Sequence, residues 1–178
     1  DFSVDEHPRR DTTVEKLAGL KVLHPEIEGF SITAGNSSGT NDAAAAVALV
    51  EADYAQAEKL TKMATVKAWA AAGVAPRDCG LGAVKVIGKV LQRAGLKPSD
   101  VALWEINEAF ASVPIAACRE YGIDEELVNF SGSGCSLGHP IAASGARMVT
   151  TLVYELQRRG GGIGVAAMCA GGGQGGAV

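Results

Sequence analysis

The chain has 178 residues, of which 47% are hydrophobic and 20% charged, with a formal net charge of −4. That length suits one domain or part of a larger one, and the composition buries a core rather than staying disordered. No apolar run reaches the roughly 20 residues a membrane helix needs, which excludes a helical span. No basic block exceeds two residues and aromatics make up only 5%, which argues against a nucleic-acid surface.

Four cysteines, Cys79, Cys118, Cys135 and Cys169, lack CxxC spacing, and only three histidines accompany them. They make neither a zinc site nor a disulfide scaffold, and a reduced, cytoplasmic setting is the simpler expectation. There is no initiator Met and no signal peptide pattern, so the sequence reads as a piece of something longer.

Residues 1–25 are polar, with a short helix expected over 12–20 and Thr12 or Thr13 as its N-cap. Thr33-Ala34-Gly35-Asn36-Ser37-Ser38-Gly39-Thr40-Asn41-Asp42 consists of small and turn-forming residues, hence a loop. Ala43 to Val50 is continuously apolar, and periodicity cannot separate strand from helix there. A surface helix follows over 53–62, then a second apolar run over 65–72. The pattern over 82–94 predicts a helix with Val84, Ile87, Leu91 and Ala94 on one face, capped by Gly95.

Residues 101–106 read as a short strand. They run into Asn107-Glu108 and a helical pattern of Phe110, Val113, Ala117 and Tyr121. Pro114 lies inside that pattern and is expected to remove a hydrogen bond and kink the helix. A second glycine loop over 131–138 leads through His139-Pro140 into a helix over 144–159, with Met148, Leu152 and Leu156 on one face. Residues 163–169 read as a buried strand, Gly171-Gly172-Gly173 as a turn, and 175–178 as the start of another strand. Apolar runs alternating with amphipathic helices imply an α/β architecture.

Three positions put a reactive side chain among small residues at strand or helix ends, where α/β folds leave backbone N–H groups free to face a ligand. Asn107 is either an ordinary N-cap or an amide that orients a water or a carbonyl oxygen. His139, flanked by Gly138 and Pro140, is either structural or a neutral imidazole that accepts a proton or donates to an oxyanion. Cys169, followed by Ala170-Gly171-Gly172-Gly173-Gln174-Gly175, is either inert packing beside a tight hairpin or a thiol whose thiolate the glycine amides stabilise. Cys118 reads as packing, Cys135 and Cys79 as cavity lining, and His7 and His24 as solvated.

Four segments together resemble the thiolases, the acetyl-CoA acyltransferase family. Thr33-Ala34-Gly35-Asn36-Ser37-Ser38-Gly39 is similar to the TAGNxSG loop, Asn107-Glu108-Ala109-Phe110-Ala111 to the NEAFA box, 138–147 to GHPxGASGAR and 169–175 to CxGGGxG. They occur in the family's order. Ala142 stands where GHPxGASGAR has Gly, and Gly132-Ser133-Gly134-Cys135-Ser136 departs from the common GGAIA.

The resemblance implies an α/β fold: a mixed sheet covered by helices over 32–178, preceded by the tail of a CoA-binding loop domain over 1–31. It implies that His139 activates a nucleophilic thiol and donates to a thioester oxygen, and that Asn107 holds the water completing that oxyanion hole. Cys169 is implied as the acid/base at the α-carbon of acetyl-CoA, and the Gly171 N–H as a donor in a second oxyanion hole. Ser38, with Ala34 and Gly35 beside it, is implied to contact the pantetheine arm, and Arg9 the adenine end of CoA. Coenzyme A enters as substrate, with no metal or other cofactor.

The family's nucleophilic cysteine belongs to an N-terminal half, and no cysteine here stands in its CxSG-type context. The chain is therefore expected to be inactive alone, to present an apolar face to that half, and to work in a homodimer or homotetramer. Two alternatives stand beside this. One is a β-ketoacyl synthase relative, which the CxGGGxG ending disfavours. The other is a non-catalytic acyl-CoA or lipid carrier, for which a proton-transfer cysteine has no use.

Overall fold

The computed structural model describes residues 3–178. Four strands, β1 (Ala70–Gly73), β2 (Leu103–Ile106), β3 (Gly164–Ala170) and β4 (Gln174–Ala177), form one sheet in the order β1-β4-β3-β2. β3 runs parallel to β2, and the other two pairings are antiparallel, so the sheet is mixed as expected. The parallel pair is joined by a crossover that contains two of the five α-helices among the described residues, α4 (Ser112–Tyr121) and α5 (Ser144–Arg158). The others are α1 (Val14–Ala18), α2 (Ala52–Ala57) and α3 (Leu81–Ala94).

Alternation along β2 decides which helix meets which face. Trp104 and Ile106 point to one side and join the cluster made with Val86, Ile87 and Val90 of α3 and Val113 and Ala117 of α4. Leu103 points to the other side, where Met148 and Leu152 of α5 cover it. All four β2 residues are buried, because helices cover β2 and β3 on both faces, α3 and α4 on one and α5 on the other. Asn129 covers the free edge of β2. Its Oδ1 accepts from Ile106 N at 2.8 Å and its Nδ2 donates to Ile106 O at 2.8 Å, replacing a missing strand neighbour.

Helix α3 packs on β4 backbone to backbone. A Cβ at Gly82 would collide with the Gln174 carbonyl, and one at Gly175 with the Gly82 carbonyl, so only glycines permit this approach. The α3 helix ends as expected on Gly95 in the left-handed region, φ 68°, and Thr13 caps α1 by accepting from Lys16 N.

Several expectations are corrected. Pro114 is the third residue of α4, where its absent N–H has no partner to lose, so it neither breaks nor kinks the helix. The buried stripe of α3 runs through Ala83, Val86, Ile87, Val90 and Leu91, leaving Val84 and Ala94 at its margins. The helix expected over 53–62 is one short turn pair, α2. The run 43–50 forms neither helix nor strand, and Leu49 is 80% exposed.

Candidate active site

The site is built where β2 and β3 end side by side. Asn107 follows β2 directly, and its N–H continues the ladder by donating to Ala167 O at 2.9 Å. It is not a helix cap, since Ala111 holds that position for α4. The Asn107 side chain is fully buried. Its Nδ2 lies 3.3 Å from His139 Nε2, and its Oδ1 has no partner. A buried acceptor without a donor is costly unless a ligand or water meets it.

His139 is half-buried and held at three points. Its N–H donates to Asn41 Oδ1 at 2.9 Å, and its Nδ1 lies 2.6 Å from Ser144 Oγ, at the first residue of α5. Gly138, at φ 110°, lets the backbone pass so close to Asn41 that a Cβ there would lie 2.6 Å from Asn41 Oδ1. Burial, and then the charge of Arg147, hold the His139 imidazole below its ordinary pKa and favour the neutral ring. This agrees with the neutral imidazole expected from sequence, though the cation of Arg147 rather than a helix terminus assists the burial.

The loop over 33–41 reaches the same end of the sheet. Ser38 N donates to Ala109 O at 3.0 Å and Ala111 N to Asn36 O at 2.9 Å. Thr40 forms a parallel bridge with His139. Ser38 is thereby beside the NEAFA segment. Ala34 and Gly35 sit at the far side of this loop, where Gly35 lines a hollow of about 380 Å³ with Leu17, Leu20 and Phe30. Arg9 is exposed, and its carbonyl accepts from Thr12 Oγ1; no side-chain hydrogen bond links Arg9 to the site among the described residues.

Cys169 lies on β3, paired with Gly175 and 6% exposed. Burial, and then neighbouring Cys79, push its thiol above the ordinary value. That direction favours the thiol over the thiolate in the resting side chain. Among the described residues no hydrogen bond joins Cys169 to Asn107 or His139. Gly171 to Gly173 form the loop of a three-residue hairpin between β3 and β4, and space around Gly171 is open. The tight hairpin weighed from sequence is therefore present, next to the cysteine it was weighed against.

Cys79 lies at the site, its Sγ donating to Ala170 O at 3.1 Å. Nothing in the spacing around Cys79-Gly80 signals this, because 90 residues separate it from Cys169. Cys135 is held by Glu108: its N–H donates to Glu108 Oε2 at 3.1 Å, and burial pushes its thiol up to about 11. Cys118 is buried packing. His24 is exposed against Glu26, as expected, but the His7 ring packs against Gly39 and its Nε2 is buried without a partner. That corrects the solvated expectation for His7.

Sequence reasoning also passed over Glu105 and Ser144. Glu105 points to the α5 face of β2, fully buried, and pairs with Arg147 at 2.9 Å. Burial outweighs Arg147 and raises the Glu105 carboxyl to about 7. The alternation of Trp104, Glu105 and Ile106 was the available signal, for it puts a carboxylate on a buried face.

The family model described as thiolase, C-terminal domain, matches residues 60–178, and that of thiolase, N-terminal domain, matches residues 1–53. A beta-ketoadipyl-CoA thiolase of Pseudomonas aeruginosa is 48% identical over 174 residues, covering 96% of this chain and 43% of that protein. An acetyl-CoA acetyltransferase of Escherichia coli is 44% identical over 174 residues, covering 98% and 44%. Among solved structures, an acetyl-CoA acetyltransferase of Bacillus anthracis superposes with a TM-score of 0.92 at 45% identity, covering 99% of this chain and 44% of that one. Human mitochondrial 3-ketoacyl-CoA thiolase in complex with CoA gives 0.88 at 37% identity, covering 99% and 44%. The chain thus spans less than half the length of these relatives.

Proposed function

This chain belongs to the thiolase family, and we propose that it supplies the His139–Asn107–Cys169 part of an acyltransferase active site. The reaction is the interconversion of a 3-ketoacyl-CoA plus CoA with an acyl-CoA plus acetyl-CoA. The observation that carries this is the 3.3 Å approach of Asn107 Nδ2 to His139 Nε2, made by two motifs 32 residues apart at the end of the strand that adjoins Cys169.

In this reading His139 Nε2 takes the proton of a nucleophilic thiol, and afterwards its N–H faces the thioester oxygen. Asn107 Oδ1, which lacks a donor, holds the water that completes the oxyanion hole. One such donor is typically worth about 3 kcal/mol. Cys169, stored as a thiol, is in the form that cleavage needs first. The acetyl-CoA carbanion takes the thiol proton, and the thiolate so formed takes one from incoming CoA. The Gly171 N–H donates to the acyl carbonyl. Ser38, Ala34, Gly35 and Arg9 contact CoA, with residues 1–31 as the end of the loop domain and 32–178 as the catalytic domain.

None of the four cysteines lies in a CxSG context. We therefore propose that covalent acyl transfer draws its nucleophile from outside these 178 residues, and that they do not cleave acetoacetyl-CoA alone. The large hollow bounded by 46–50, 60–68 and α5, with Leu49, Tyr54 and Trp69 exposed around it, suits coverage by that N-terminal half. A homodimer or homotetramer in the cytoplasm belongs to the same proposal.

The test is Cys169→Ala in the protein completed by its N-terminal half. Acetoacetyl-CoA cleavage is expected to fall at least a hundredfold, in the range of a lost acid/base group. Unchanged turnover would overturn the acid/base role of Cys169, and an unmutated protein without turnover would favour the carrier.

A further inference from the structure

We propose that Ser144 is a positioning residue that fixes the tautomer of His139, keeping the proton on Nδ1 and leaving Nε2 bare. The inference goes beyond the proposed activity and rests on it only for its catalytic consequence. One chain of hydrogen bonds, from Asn107 through His139 and Ser144 to Pro140, carries the assignment.

The chain begins at Asn107. Its Nδ2 faces His139 Nε2 at 3.3 Å, and its Oδ1 is left without a partner. As placed, Oδ1 and one amide N–H lack partners; turned over, Oδ1 would gain a donor but both amide N–H groups would be stranded, the costlier pair because unpaired buried N–H groups are rarer than unpaired carbonyls. Nε2 therefore accepts, so the neutral ring carries its proton on Nδ1.

Nδ1 lies 2.6 Å from Ser144 Oγ. The Ser144 oxygen must accept that N–H, and its own single proton needs another acceptor. The Pro140 carbonyl, 3.0 Å away, is that acceptor. Ser144 is 1% exposed, so water does not compete for either bond. Each link has one consistent direction: Asn107 amide to Nε2, Nδ1 to Ser144, Ser144 to Pro140.

A histidine side chain free in water prefers the opposite tautomer, with the proton on Nε2, and in that form Nε2 has no lone pair to receive a proton. With Ser144 in place, Nε2 accepts a proton to give imidazolium and returns it, while the Nδ1–H bond to Ser144 is unchanged throughout. No second rearrangement is needed.

The experiment is imidazole ¹⁵N spectroscopy on the uniformly labelled full chain, above the pH at which His139 titrates. His7 and His24 are separated from His139 by comparison with His139→Gln. The wild-type neutral ring is expected to show a protonated-type shift at Nδ1 and an imine-type shift at Nε2. In Ser144→Ala, Nδ1–H loses its acceptor and the ratio of Nδ1–H to Nε2–H forms should drop about tenfold, the scale of one buried hydrogen bond. A merely structural role would leave the ratio alone.

A wild-type ring protonated on Nε2 overturns the proposal, and does so even if Ser144→Ala fails to fold. An unchanged ratio in a folded Ser144→Ala, judged by its backbone amide spectrum, overturns it too. The measurement needs no turnover. An enzyme that stays active as Cys169→Ala would remove the proposed acid/base role of Cys169 while leaving this tautomer assignment standing.

Discussion

Replacing Glu105 by Gln should remove a specific slope from the pH dependence of stability. The carboxyl is fully buried on the α5 face of β2, with Oε1 unpartnered and Oε2 accepting from Arg147 at 2.9 Å. Burial raises it from 4.5 to about 7 despite Arg147. The folded chain thus holds this proton more tightly than the unfolded chain does. The sign follows: the contribution is most favourable below 4.5, fades as pH rises from 4.5 to about 7, and is constant above that. At about 1.4 kcal/mol per pH unit, the window is worth about 3 kcal/mol, a large part of a domain's stability.

Glu105→Gln keeps the shape and the acceptor for Arg147 but never ionises. Urea unfolding at pH 5 and pH 8 on both proteins isolates this group, because Glu155, His139 and the other titrating residues are common to the two. The stability difference, variant minus wild type, is expected to rise by about 3 kcal/mol from pH 5 to pH 8. A difference that does not change with pH would show that Glu105 ionises as freely in the folded chain as in the unfolded one, and the buried-carboxyl account would fail.

Gly82→Ala should destabilise the chain by about 1–3 kcal/mol through collision with the Gln174 carbonyl, read as a lower urea midpoint at unchanged slope. Asn129→Ala strips the last β2 residue of both ladder partners and should cost about 2 kcal/mol in the same assay. The His139 ring, held neutral by burial and Arg147, should titrate in NMR with a midpoint below 6.5. A midpoint above that value would contradict the site's electrostatics. With a thiol reagent, Cys79 should react before Cys169, since Cys79 is half-buried and Cys169 buried with its thiol pushed up. Peptide mapping after partial labelling reads the order.

What the sequence determined by itself was local. Helix α3 with its Gly95 cap, the buried strand that carries Cys169, the hairpin of Gly171 to Gly173 and the loop over 33–41 follow from periodicity and turn chemistry, which act over a few residues. The same local chemistry singled out Asn107, His139 and Cys169, because reactive side chains among small residues at element ends are visible without a fold.

How those residues meet is set by long-range packing. Asn107 and His139 touch because β2 and the crossover bring residues 32 apart to one point, and Cys79 joins Cys169 across 90. Burial of Glu105 depends on which face of β2 receives α5, and so does its shifted proton. Pro114 is harmless only because α4 begins two residues before it. The run 43–50 shows the limit most plainly: apolar residues acquire a definite backbone only from the neighbour they pair with, and no local signal supplies that neighbour.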